Sequence, residues 1–167
     1  MIDKNHLSKI YESLLNDERV LKMKEIPMHR GSNCYLHSFR VAKRAIRKAL
    51  KCKKELDVEA LLYACILHDY YLYDWRVDKA KRKHHLSSHP YLAAEQAHRD
   101  FGISEFSMKI INSHMWPINT KDFPRTKEAR LLTCSDKAIA TKEALTSKRF
   151  KRKRMDRYYS SVRALFD

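Results

Sequence analysis

The stretch Val58-Glu59-Ala60-Leu61-Leu62-Tyr63-Ala64-Cys65-Ile66-Leu67-His68-Asp69 decides the fold. From Val58 to Leu67 it is apolar nearly all round, with Asp57 ready to cap its start. A helix without a polar face belongs inside a core, not on its surface. It ends on a histidine and an aspartate, two side chains that cores ordinarily exclude. A polar pair at the edge of a rigid, buried element is where preorganised ligands are wanted.

Working outward, the other segments also read as helices. Leu7, Ile10 and Leu14 recur at helical spacing behind Asp3, a possible N-cap. Residues 25–33 contain Pro27 and Gly31 and read as a loop. Phe39, Ala42, Ile46 and Ala49 then form one stripe, with His37 and Val41 beside it, so His37 can face inward. Residues 70–87 are aromatic, then basic, and read as a loop with at most one helical turn. Ser88-His89-Pro90 opens a helix, since proline suits the first helical position. Ser104 can cap a helix running to His114. Thr126 can cap a long one carrying Leu131, Leu132, Asp136, Ile139 and Ala140.

Composition supports that reading. The 167 residues include only two glycines and four prolines, too few turn residues for a many-stranded β fold. The expected fold is all-α, a single compact helical bundle. A helical segment at 1–33, a core at 34–146 and a basic C-terminal helix at 147–167 form one domain overall. No apolar run reaches the length of a membrane span, and the start, Met1-Ile2-Asp3-Lys4, lacks a signal-peptide pattern. Cys34, Cys52, Cys65 and Cys134 have no metal-type spacing. Cys65 and Cys134 read as buried thiols, and a reduced, cytoplasmic setting is expected. The formal charge of +15 implies anionic partners.

The chemistry lies in an ordered donor set: His37, His68-Asp69, His89, His114 and Asp136. Neutral imidazole and carboxylate hold divalent metals such as Zn, Mn or Fe. A carboxylate has two oxygens, so an aspartate beside a histidine can bridge two metals.

The segments around these donors are Cys34-Tyr35-Leu36-His37-Ser38-Phe39-Arg40-Val41-Ala42, Ala64-Cys65-Ile66-Leu67-His68-Asp69, Ser88-His89-Pro90, Ile110-Ile111-Asn112-Ser113-His114 and Leu132-Thr133-Cys134-Ser135-Asp136-Lys137. In this order they resemble the HD superfamily of metal-dependent phosphohydrolases, from about Cys34 to Glu143. The stretch from His68 to Trp75, with His114-Met115-Trp116-Pro117, looks most like short bacterial members that carry no assigned substrate. The resemblance implies an all-helical HD-domain bundle and a phosphohydrolase using metal-activated hydroxide. It also implies two divalent ions (Fe, Mn, Zn, Co or Ni). His37, His68, Asp69 and Asp136 would hold one, His89 and His114 the second, and Asp69 would bridge. Some members use only the subset without His89 and His114, holding one metal.

The chain departs from the family in one respect. Many HD hydrolases place a phosphate-contacting lysine just after the His-Asp pair. Here those positions are Tyr70, Tyr71, Leu72 and Tyr73. Arg40, Arg76, Lys79 and Lys137 can substitute. Arg40 ranks first because it lies one helical turn beyond His37, and is expected to act in catalysis beside Asp69. Lys137 follows Asp136 and points about 100° away. Tyr70, Tyr73, Trp75 and Trp116 can stack a base or sugar, and His84 and His85 can meet solvent or substrate. The expected substrate is a small anionic phosphate ester, best a nucleotide or dinucleotide, by monoester or diester hydrolysis. Two alternatives stay open: a basic nucleotide- or RNA-binding module without turnover, and a di-iron oxygenase of the same fold. The run Lys148-Arg149-Phe150-Lys151-Arg152-Lys153-Arg154 reads as a solvated connector or a nucleic-acid patch.

Overall fold

A computed structural model describes residues 3–28, 32–74, 76–77 and 82–145 of the chain. Trp75, Lys79 and the basic segment 147–167 lie outside the described residues.

Side-chain caps start the helices where the sequence places them. Asp3 accepts from the His6 N–H (3.0 Å) to open α1 (Lys4–Asn16). Asn33 accepts from Leu36 N–H (2.9 Å) to open α3 (Cys34–Ala49). Asp57 accepts from Ala60 N–H (2.8 Å) to open α4 (Val58–Leu67). Ser104 and Thr126 do the same for α6 (Glu105–Asn112) and α7 (Lys127–Leu145), each at 3.1 Å. Each such oxygen satisfies an N–H that has no partner within its own helix.

α4 is the hub. It packs against α1, α3, α6, α7 and the helix α5 (His85–Phe101). Leu61, Leu62, Ile66 and Leu67 are wholly inaccessible. Burying each such side chain contributes about 1.5–3 kcal/mol. The stripe Phe39, Ala42, Ile46 and Ala49 on α3 is buried as its spacing predicts. α3 and α7 pack along their length and form the seam that carries His37 and Asp136. Among the described residues there is no strand, only an isolated bridge between Pro27 and Asn33. None of their helices is long and apolar enough to cross a membrane.

A one-turn helix α2 (Glu18–Leu21), capped by Asp17, and a 3-10 turn (Lys22–Glu25) precede the loop, elements too short to carry readable periodicity. Two expectations need correction. α5 begins at His85, so Pro90 lies within the helix and not at its first position. The turn before Pro90 is held by Ser87 and Ser88, whose backbone and hydroxyl groups all donate to His84 O. Cys134 is exposed, because α7 turns Leu132, Thr133 and Ser135 inward instead.

Candidate metal centre

Helix carbonyls orient three of the histidines. At the end of α4, His68 Nδ1 donates to Cys65 O (2.9 Å). Beyond α6, His114 Nδ1 donates to Ile111 O (2.8 Å). One turn into α5, His89 Nδ1 donates to His85 O (2.8 Å). A carbonyl can only accept, so each Nδ1 carries a proton and Nε2 is the ring nitrogen left to bind.

Those Nε2 atoms converge on Asp69, whose side chain is 5% exposed. Its Oδ2 lies 3.3 Å from His68 Nε2. Its Oδ1 lies 3.4 Å from His89 Nε2 and 3.9 Å from His114 Nε2. The two oxygens thus face two different groups of donors. His68 Nε2 is buried without a hydrogen-bond partner, 3.8 Å from Asp136 Oδ1. His37 completes this side, with Nε2 2.9 Å from Asp136 Oδ1. Donor atoms of His37, His68 and Asp136, and of His68, Asp69 and His114, lie within 4.8 Å of one another.

Electrostatics separate the two sides. Burial opposes charge on His37, yet Asp136 and Glu143 outweigh it and push its pKa up to about 10. Burial likewise opposes charge on His68, and Asp69 and Asp136 raise it. The facing histidines overcome burial to hold Asp69 well below, and Asp136 at about 2. On the far side, burial pushes His89 down and His114 down to about 3, aided by neighbouring histidines. Both rings are therefore neutral.

These neutral rings provide the test of whether the residues suit a metal. His89 Nε2 and His114 Nε2 lie 3.0 Å apart. With both Nδ1 atoms protonated, two lone pairs oppose each other inside a buried site, an arrangement that a shared cation relieves. Together with the orphaned His68 Nε2 and two ionised aspartates, the donor set fits divalent cations.

Two neighbours of the site escape sequence reasoning. Glu143 Oε2 meets His37 Nδ1 at 3.0 Å, while its Oε1 pairs with Arg40 and accepts from Ser32 Oγ (3.1 Å). Glu143 stands seven residues after Asp136, two turns along the same face of α7; that spacing was the available signal. Tyr71 is buried edge-on to His85 and His89, at ring distances of 5.0 and 5.6 Å. Leu72, at φ 47°, bends the chain between Tyr71 and Tyr73, and both rings reach His85.

The other expected site residues divide. Arg40 lies beside the cluster, but its guanidinium is directed at Glu143. Lys137 Nζ donates to His114 O (3.0 Å), tying α7 to the backbone of a donor histidine. His85 stacks on His89 at 4.6 Å and meets the Tyr73 hydroxyl at 3.0 Å; burial pushes it down to about 4. It is buried, not turned to solvent as a loop residue would be, because it starts α5. Arg76 donates to Met28 O (2.5 Å) at the surface. Trp116 is half-buried, edge-on to Phe123 at 5.3 Å. Tyr70 corrects an expectation: its ring is wholly buried against Phe101, with the hydroxyl on Asp100 Oδ2 (3.0 Å), so it has no face to offer a base.

A helical bundle that gathers histidines and aspartates from α3, the end of α4, α5, α7 and the turn after α6 into one buried cluster is a domain whose side chains could hold divalent cations. The chain matches the HD domain over residues 34–144, well over half its length, and belongs to that family, whose members are generally metal-dependent hydrolases. No curated protein and no solved structure matches it.

Proposed function

We propose that the protein is a metal-dependent phosphohydrolase acting on a small phosphate ester, a nucleotide or dinucleotide. His37, His68, Asp69 and Asp136 would hold one ion, and His89 and His114 a second, with Asp69 shared. The observation that carries this reading is the way Asp69 turns one oxygen to His68 and the other to His89 and His114. Two cations held there would lower the pKa of a bound water and neutralise phosphoryl oxygens.

The chain's own residues supply the rest. The Cys65, His85 and Ile111 carbonyls fix the imidazole tautomers, so no ring has to reorient before binding. Glu143 keeps His37 aimed at Asp136, and His37, with Arg40 second, keeps Glu143 ionised against its burial. Lys137 brings a half-buried ammonium to the edge of the cluster, where it can attract a phosphate. Trp116 offers a half-buried ring for a base; Tyr73, half-buried beside His85, and Trp75, beyond the described residues, are the other aromatic candidates. The positive net charge favours an anionic substrate over a neutral one.

The deciding experiment is a panel of nucleotides, dinucleotides and non-nucleotide phosphates, assayed with Mn, Fe, Co or Zn. Release of phosphate or nucleotide that disappears in Asp69→Ala supports the reading. Turnover that survives Asp69→Ala places the chemistry elsewhere. Oxygen consumption with phosphonate or polyol substrates, without hydrolysis, would replace it with oxidation.

A further inference from the structure

α3 and the turn after it carry Arg40, Lys43, Arg44, Arg47, Lys48 and Lys51. The intervals of three and four residues put all six on one face. From Asn33 through Lys54 the sequence contains no aspartate or glutamate. With Lys142 and Ile139 of α7, these six line a groove of about 350 Å³ whose lining includes no carboxylate. The groove follows the α3–α7 seam outward from the Arg40–Glu143 pair, so it begins where the buried cluster ends. Arg44, Arg47, Lys48 and Lys51 are exposed. Lys43 is pushed below its ordinary value by burial and by Arg47, as expected where cations crowd one another.

We infer that this groove binds the phosphodiester backbone of single-stranded nucleic acid, independently of base sequence. From Arg40 to Lys51, eleven steps at about the helical rise cover about 16 Å. At roughly 3.4 Å or more per phosphate along a strand, that is on the order of three to five phosphates. Regularly spaced cations in a concave channel suit a chain of regularly spaced charges. Arginine adds a planar fork that grips phosphate oxygens two at a time. No aromatic side chain lines the groove, so it lacks the stacking platforms on which base-reading sites rest and holds a strand chiefly by its phosphates. A membrane surface fits less well. Anionic headgroups would be met by electrostatic attraction alone, without the apolar insertion that strengthens interfacial binding, since the apolar residue of the lining, Ile139, is 8% exposed.

The test is fluorescence anisotropy of the full chain with single-stranded RNA and DNA oligonucleotides of mixed sequence. Chelator is present throughout, so that the outcome does not depend on the hydrolytic reading. A groove variant, Arg44→Gln/Arg47→Gln/Lys48→Gln/Lys51→Gln, is compared with an equally neutralised control, Lys9→Gln/Lys22→Gln/Lys109→Gln/Lys127→Gln. All eight side chains are exposed, and circular dichroism verifies folding. The groove variant should bind at least tenfold more weakly than wild type. Its slope of log affinity against log salt should be shallower by about 2–3, at roughly 0.7 for each phosphate no longer neutralised. The control should change less than threefold, and RNA and DNA of different sequence should behave alike. Equal losses in the two variants would overturn the inference, as would absent binding at about 50 mM salt. So would polyglutamate or phosphatidylserine vesicles held through the same four residues while oligonucleotide binding is unchanged.

Discussion

Glu143 holds His37 from behind: its Oε2 lies 3.0 Å from Nδ1, while Nε2 is turned toward Asp136. A carboxylate on the outer nitrogen of a ligating imidazole fixes its orientation and raises its basicity. Arg40 and Ser32 anchor that carboxylate in turn.

Glu143→Gln should therefore weaken metal binding by about 10–100-fold without unfolding the protein, since the amide keeps the shape and loses the charge. Competition with a chromophoric chelator measures this. Unchanged affinity would show that Glu143 serves only to neutralise Arg40.

Asp17 caps α2 and is bonded by Arg19, whose guanidinium holds the carboxyl below its ordinary value. A carboxylate with a depressed native pKa contributes stability that is present above its unfolded value, near 4, and lost as pH falls through the native one. Asp17→Asn keeps an acceptor for the cap and removes the charge. The difference in Tm between wild type and this variant should be present at pH 6 and shrink progressively as the pH falls below about 4. A difference that stays constant on acidification would mean that the charge is not its source.

Gly102 ends α5 at φ 62°, with its N–H donating to His98 O (2.8 Å). A Cβ there would meet nothing within 4 Å, so the only cost is the left-handed backbone. Gly102→Ala should destabilise by about 1–2 kcal/mol, lowering Tm by roughly 2–8 °C in a chain of this size. Chemical denaturation showing no loss would mean that α5 ends differently in solution.

The caps and the apolar run Val58–Leu67 were legible because each rests on a local rule. Asp3, Asp57, Ser104 and Thr126 all cap as their chemistry dictates. The six donors were legible as a pattern of residue types in order. What the sequence withheld is direction. Tyr70 and Tyr73 look alike in the loop, yet one is wholly buried against Phe101 and the other reaches His85. Arg40 stands one turn from His37, but Glu143, more than a hundred residues away, decides where its guanidinium points. Glu143 was visible only to a reader already asking what holds the outer nitrogen of His37.

His114 distinguishes two metals from one. If His89 and His114 form a second site beside that of His37, His68 and Asp136, wild type purified without chelator and reloaded with Mn or Zn should contain about two ions per chain, as a two-metal mechanism requires. His114→Gln keeps most of the ring's volume and removes its Nε2, so about one ion should remain. His37→Gln attacks the opposite side and should also leave fewer than two. Thermal denaturation gives an independent reading. An ion present at about 100 times its Kd stabilises by about 2.7 kcal/mol, roughly 5–10 °C in Tm for this chain length. The gain on adding metal should shrink in both variants and disappear in Asp69→Ala, whose carboxylate faces both groups of donors. One ion in wild type, still one in His114→Gln and none in His37→Gln would show a single-metal centre, leaving His89 and His114 to bind substrate.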